Sequence, residues 1–248
     1  MAKKSPIKTW ISRIKLVLAQ APRVAKAIRY GWKALILIMI MDTGYLVGIW
    51  PAWEEYSEGP IQRTAFIRTY IFEQYRHRDW PSLRYSPVPI SRISENMVKA
   101  VVVAEDSRFY QHSGFDTDAL KAAMEYNLSE KRLVYGASTI SQQTVKNIFL
   151  SPSRNPLRKW HEITLTFGME RHLSKRRILE LYLNAAEFGR GIYGVQAAAR
   201  HYWGINASEL SPKQAAELAA TLSAPVNHNP ATRTQYFNKR LKKIMRYM

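Results

Sequence analysis

The chain has 248 residues, enough for one well-packed domain and an appendage, and contains no cysteine, which excludes a disulfide framework, a thiolate metal site and a thiol nucleophile. Its formal net charge of +18 calls for an acidic partner such as nucleic acid, anionic lipid or pyrophosphate. No internal repeat or low-complexity tract is present.

Half of the surplus charge lies in residues 1–33, where Lys3, Lys4, Lys8, Arg13, Lys15, Arg23, Lys26, Arg29 and Lys33 stand without an acid. This basic tail runs into an apolar stretch, 34–50, flanked by Trp32, Trp50 and Trp53. The pattern predicts one transmembrane helix at the short end of the usual length, with an aromatic belt, the tail in the cytoplasm and everything after residue 51 outside. A cleaved signal peptide is the other reading, but the run is long for one and lacks a small-x-small cleavage site. Asp42 costs about 2.5–3.5 kcal/mol near mid-span. Either it meets the helix of another membrane protein, or its apolar neighbours absorb the penalty with a hydrogen bond back to the helix. Residues 51–89 read as an extracytoplasmic connector, broken by Trp80-Pro81, Pro87 and Pro89, with one helical stretch from Ile61 to Arg76. A folded domain is expected over 90–248.

In that domain Ile93, Met97, Val98, Val101 and Val102 recur at helical spacing, and Glu105, Phe109 and His112 continue the stripe. A carboxylate emerging beside apolar side chains is partly desolvated, which raises its proton affinity toward the range of general acid–base work. Asp106, about 100° round the helix, sees another environment. Glu105-Asp106 reads either as a catalytic pair or as the solvated end of a helix stopped at Gly114. Thr139-x-x-Gln142, after Gly136, has capping-box spacing and predicts a helix whose polar face carries Thr139, Gln143, Lys146 and Asn147, with Leu150. Such a face suits an anionic or sugar ligand, or is simply solvated. Arg158 and Glu162 share a face if helical, as an i,i+4 ion pair worth a few tenths of a kcal/mol or as a second carboxylate held ionised by its arginine. Residues 173–184 read as a capped amphipathic core helix. Phe188-Gly189-Arg190-Gly191 leads through a turn into a small-residue helix; without a preceding strand these glycines form no dinucleotide fingerprint. Ser211-Pro212-x-Gln214 opens a further helix.

Taken together, Glu105-Asp106-x-x-Phe109-x-x-His112-x-Gly114, Gly136-x-Ser138-Thr139-Ile140-Ser141-Gln142-Gln143-x-x-Lys146-Asn147, Arg158-Lys159-x-x-Glu162, Lys175-x-x-Ile178-Leu179-Glu180-x-Tyr182-Leu183-Asn184 and Gly191-x-Tyr193-Gly194-x-x-x-Ala198-Ala199 resemble the peptidoglycan glycosyltransferases. The resemblance covers about residues 90–230, making 90–248 the glycosyltransferase domain. Ser141 stands where the family usually has threonine, and Ile205 where a lysine is common. The Ser-x-x-Lys strings at Ser5–Lys8 and Ser12–Lys15 lack a Lys-Thr-Gly partner, so the chain looks monofunctional.

The resemblance implies a mainly α, lysozyme-like two-lobed fold preceded by one transmembrane helix. It implies polymerisation of lipid II, with the 4-hydroxyl of an acceptor displacing undecaprenyl pyrophosphate from a growing chain and inverting the anomeric carbon. Glu105 is then the base. Glu162 orients substrate or holds a divalent cation, magnesium or manganese, at the pyrophosphate; no dedicated metal site and no other cofactor is expected. Lys146, Arg158 and Lys159 take the phosphates; Asp106, His112, Thr139 and Gln143, with Asn147 beside them, orient sugars or brace the loop, and Phe109 packs the hinge. Phe149, Leu150, Leu157 and Trp160 are candidates for contact with lipid. The expected partners are lipid II, the glycan chain, the cytoplasmic membrane and, through Asp42, division or elongation proteins; no nucleic acid is expected. A lytic transglycosylase or muramidase shares a single crucial glutamate but has no use for the cation cluster. An inactive membrane scaffold has no use for both glutamates.

Overall fold

In the computed structural model the chain is described over residues 21–61, 63–130, 138–153 and 155–248. Lys3, Lys4, Lys8, Arg13 and Lys15 of the basic tail, both Ser-x-x-Lys strings, and Gly136 lie outside the described residues. The chain divides into two compact units at Trp50 and Pro51.

The first unit contains helix α1, Pro22–Gly48, which opens on a proline, the residue suited to a first helical position. It begins twelve residues before the predicted apolar segment, so Arg23, Lys26, Arg29 and Lys33 share it. Beyond Met41 the apolar run is interrupted by Asp42, half-buried, and by Thr43, whose hydroxyl donates back to the Met39 carbonyl at 2.8 Å. No helix among the described residues is long and apolar enough to cross a membrane. This corrects the expectation of a transmembrane helix: the stretch Ala34–Met41 is apolar and well exposed, but it falls short of the roughly 20 apolar residues a span requires.

The second unit is mainly helical. Thr64 caps α2 (Ala65–Arg76), which therefore starts four residues later than predicted. Helix α3 (Glu95–Glu105) is followed by α4 (Thr117–Ser129), α5 (Ile140–Phe149), α6 (Pro156–His172) and α7 (Lys175–Ala185). Then come α8 (Val195–Trp203), α9 (Pro212–Thr221) and α10 (Gln235–Tyr247). The capping boxes at Thr139/Gln142 and Ser211/Gln214 form as the spacing predicts.

Helix α7 is the centre of the core, with Ile178, Leu179, Leu181, Tyr182 and Leu183 all buried. Its polar residues fasten the connector. Asn184 exchanges hydrogen bonds with both backbone groups of Val88 at 2.9 Å, Glu180 accepts from the Ile90 amide at 2.8 Å, and Arg177 donates to the carbonyls of Tyr56, Glu58 and Gly59. Helix α9 is alanine-rich and packs against both α3 and α10.

The glycine-rich turn is a hairpin rather than a plain loop. Strands β2 (Glu187–Gly189) and β3 (Ile192–Tyr193) pair antiparallel, and β1 (Arg84–Tyr85) joins β3 in parallel, in the order β1-β3-β2. Strands of two or three residues are too short to show an alternating pattern, which is why sequence periodicity does not reveal them. Gly194, at φ 84, lies so close to α7 that a Cβ would meet the Asn184 carbonyl oxygen at 3.0 Å.

Candidate active site

Glu105 is the last residue of α3, half-buried where the apolar stripe of Met97 and Val101 gives out. One carboxylate oxygen is paired with Arg240 of α10, and the other accepts from the Gln143 side-chain amide of α5 at 2.9 Å. Gln143 is itself oriented by α7, since its carbonyl oxygen accepts from the Tyr182 hydroxyl at 3.2 Å. Burial pushes the Glu105 carboxyl above its ordinary value, while Arg240, the Gln143 hydrogen bond and Lys146 pull it back. Burial, with the Glu105 charge adding to it, likewise holds the Tyr182 phenol well above its usual range, so it remains a donor.

Asp106 turns away from Glu105 and is used internally. Its carboxylate lies 3.0 and 3.1 Å from His112 Nε2 and accepts from the Ile140 amide, the first residue of α5, at 3.0 Å. The Gly114 amide donates to His112 Nδ1 at 3.2 Å, so the imidazole hydrogen sits on Nε2 and points to Asp106. The Gly114 carbonyl in turn accepts from the Thr139 hydroxyl at 2.6 Å, and that hydroxyl also caps α5. Asp106, His112 and Thr139 therefore brace the loop against the start of α5. Phe109 is fully buried, with the Lys175 ammonium 4.4 Å from its ring centre. Gly114 keys the loop to α6: it has φ +94, and a Cβ there would meet Thr166 Cγ2 at 2.9 Å and Glu170 Cγ at 3.1 Å. Gly114→Ala is expected to cost about 2–4 kcal/mol and to lower Tm by about 4–16 °C, measured by thermal unfolding; an unchanged Tm would refute the keying.

Helix α6 begins at the Asn155 cap, and its first two turns bring Arg158, Lys159 and Glu162 together. Glu162 is buried; Arg158 Nη1 donates to one of its oxygens at 2.9 Å and Lys159 pairs with the other. Arg158 Nε is buried without a hydrogen-bond partner. Lys146, half-buried on α5, interacts electrostatically with both Glu105 and Glu162. Its ammonium is pulled below the usual lysine range, first by burial and then by Arg158 and Lys159 against the two carboxylates. Three cations thus surround Glu162, while Glu105 is matched by Arg240. That surplus suits a multiply charged anion. Asn147 is buried on the same helix.

Neither set of acids fits a divalent cation. Both oxygens of Glu162 already face a side-chain cation. Asp106, His112 and Asp116 bring ligand atoms within 4.8 Å of one another, but both His112 nitrogens are engaged and Asp116 caps α4 and faces Arg108.

Sequence spacing does not reveal Arg240, which is 135 residues from Glu105. The available signal is its place between Phe237, Leu241 and Ile244 on the inward face of α10, where a cation is out of pattern. The candidates for lipid contact divide. Leu150 is buried and Phe149 packs edge-on to Trp53 and Tyr56, whereas Leu157 and Trp160 are exposed. Ile163 and Phe167 extend the exposed stripe along α6. A cavity of about 180 Å³ opens beside Glu105, lined also by Asp116, Ala119 and Ser138.

Residues 73–248 match the transglycosylase family. The chain is 37% identical over 217 residues to the biosynthetic peptidoglycan transglycosylase of Nitrosospira multiformis, covering 88% of this chain and 94% of the relative. The protein of the same name from Thiobacillus denitrificans is 44% identical over 185 residues, covering 75% and 80% respectively. The one from Bordetella avium is 45% identical over 170 residues, covering 67% and 71%.

Proposed function

The chain belongs to the transglycosylase family and is a peptidoglycan glycosyltransferase that polymerises glycan strands; from that premise we propose the following roles for its cleft. Ionised Glu105 takes the proton from the 4-hydroxyl of a lipid II acceptor as that oxygen bonds to the anomeric carbon of the growing chain. The bond from that carbon to undecaprenyl pyrophosphate breaks on the opposite side, with inversion. Lys146, Arg158 and Lys159 meet the charge that develops on the departing pyrophosphate. An anion beside Lys146 offsets the burial and repulsion that weaken its charged form. Glu162 holds Arg158 and Lys159 in place, and the leaving group's charge is met by side chains rather than by a protein-held divalent cation.

The observation that carries this reading is the pairing of a desolvated carboxylate with a cluster holding more cations than acids. A muramidase needs a proton donor at Glu105 and gives that cluster no task. The test supplies the purified protein with lipid II in detergent and resolves the products on a gel. Glycan strands are expected, fewer as salt rises because screening weakens the contact with pyrophosphate, and in equal yield with a chelator present. Release of fragments from mature sacculi without polymer would replace this reading with the lytic one.

Polyprenyl substrates stay in the bilayer, so the domain works at the extracytoplasmic face of the cytoplasmic membrane. Its lobes flank the cleft in the lysozyme-like manner. The exposed stripe on α6 and the apolar surface of Ala34–Met41 supply contact with lipid.

A further inference from the structure

The catalytic carboxylate and the arginine that holds it come from two helices, α3 and α10, both packed on α9. Buried Phe237 and Ile244 hold α10 against its neighbours, but apolar contacts are non-directional and tolerate a small slide or rotation. Something directional has to set where Arg240 arrives.

Residue 233, immediately before the Thr234 cap of α10, is in an unusual state. Arg233 is the one non-glycine residue with positive φ among the described residues, at 43°. It is held there from three sides. Its guanidinium forks onto both oxygens of Glu217 at 3.3 and 3.4 Å, its amide donates to the Asn229 carbonyl at 3.0 Å, and its carbonyl accepts from the Asn238 side chain of α10 at 2.9 Å. Glu217 lies in the middle of α9 at 2% exposure, where an acid needs a strong reason to be. A left-handed arginine persists only where its surroundings over-determine it.

We propose that the Arg233–Glu217 fork is a positioning device for the transfer reaction, fixing the entry of α10 on α9 so that Arg240, two helical turns on, meets Glu105. A two-point guanidinium–carboxylate contact fixes direction as well as distance. Neither Arg233 nor Glu217 touches the reacting groups; they act through Arg240. This inference rests on Glu105 being the base.

The test uses the full chain carrying Arg233→Gly, which relieves the left-handed backbone while removing the fork, and Glu217→Gln. Both are expected to lower kcat about ten-fold, the scale of a sub-ångström misplacement, with KM for lipid II within about two-fold of wild type. The groups acting on Glu105 are Arg240 from α10, Lys146 and Gln143 from α5, with its charge felt by Tyr182 of α7. Of these, only Arg240 depends on the fork. A loosened Arg240 pulls down less, so the acid limb of kcat/KM moves to higher pH, and so does the Glu105 titration followed by 13C NMR of its carboxyl. Arg233→Lys, which keeps the charge but not the fork, should fall between. If Glu217→Gln does not fold, Arg233→Lys decides by the same readouts. Folded variants with wild-type kcat and an unmoved Glu105 titration would overturn the fork's role. Activity surviving in Glu105→Gln would instead overturn the base assignment, while the NMR titration still reports on the fork.

Discussion

Glu105→Gln is expected to reduce lipid II polymerisation at least about 1,000-fold, the upper range for loss of a general base. Glutamine keeps the shape of the side chain but accepts no proton, so the loss falls on the bond-forming step. The pH dependence carries the sign of the environment. Burial raises the Glu105 carboxyl above its ordinary value, more than Arg240, Gln143 and Lys146 lower it. The base form is therefore lost as pH falls through a value above the usual glutamate range, and kcat/KM declines there in the wild type. Arg240→Met removes the largest opposing influence and moves that decline to still higher pH. Gel analysis of product across pH, with Tm as the control for folding, measures both effects. Glycan strands made by Glu105→Gln at the wild-type rate would remove it from the chemistry.

Glu162→Gln should be nearly as damaging, for a different reason. Glu162 is buried and both its oxygens are paired. Its neutralisation leaves Arg158 and Lys159 repelling Lys146 without compensation, and breaking such a buried pair costs on the order of 3 kcal/mol of stability. A fall of about 100-fold in kcat/KM is expected as the cations leave their places at the leaving group, together with a lower Tm. The lysine pulled down by burial and like charge is pulled down further, so the substitution also narrows activity on the alkaline side. Full rate with only a lower Tm would reduce Glu162 to a structural ion pair, and full rate with unchanged Tm would deny it both roles.

Much of the site is legible in the chain because it is local. The capping box at Thr139 and Gln142, the i,i+4 pair of Arg158 and Glu162, and Gln143 and Lys146 within one turn of each other are fixed by helical geometry alone. The pattern also points to Glu105 as the acid at the end of a buried stripe. Asp106 is different. Adjacent to Glu105 and chemically alike, it serves the opposite end of the loop, because its neighbours are the imidazole of His112 and the first amide of α5. Spacing sets Asp106 off the buried stripe but does not say which groups it meets there. The same limit applies to the lipid-facing candidates. Leu150 and Leu157 are alike in sequence, and only packing buries the first and exposes the second.

The apolar segment near the N-terminus shows the converse. Composition marks 34–50 as one apolar span, but the run stops at Met41, before Asp42 and Thr43, and helix α1 incorporates the basic residues ahead of it, since backbone hydrogen bonding continues wherever no breaker intervenes.

By itself, then, the sequence determined what depends on neighbours in the chain: the capping boxes at Thr139 and Ser211 with the helices they open, the order of the motifs and the family they belong to, and the surplus of positive charge. The tertiary structure alone decided what depends on residues far apart. It set Arg240 against Glu105 and Gln143 between Glu105 and Tyr182, packed Gly114 against Thr166 and Glu170, and forked Arg233 onto Glu217. The physical reason is that a helix repeats every 3.6 residues, so spacing reports which side chains share a face. Desolvation and ion pairing depend instead on which faces meet, and that is settled only when the whole core closes.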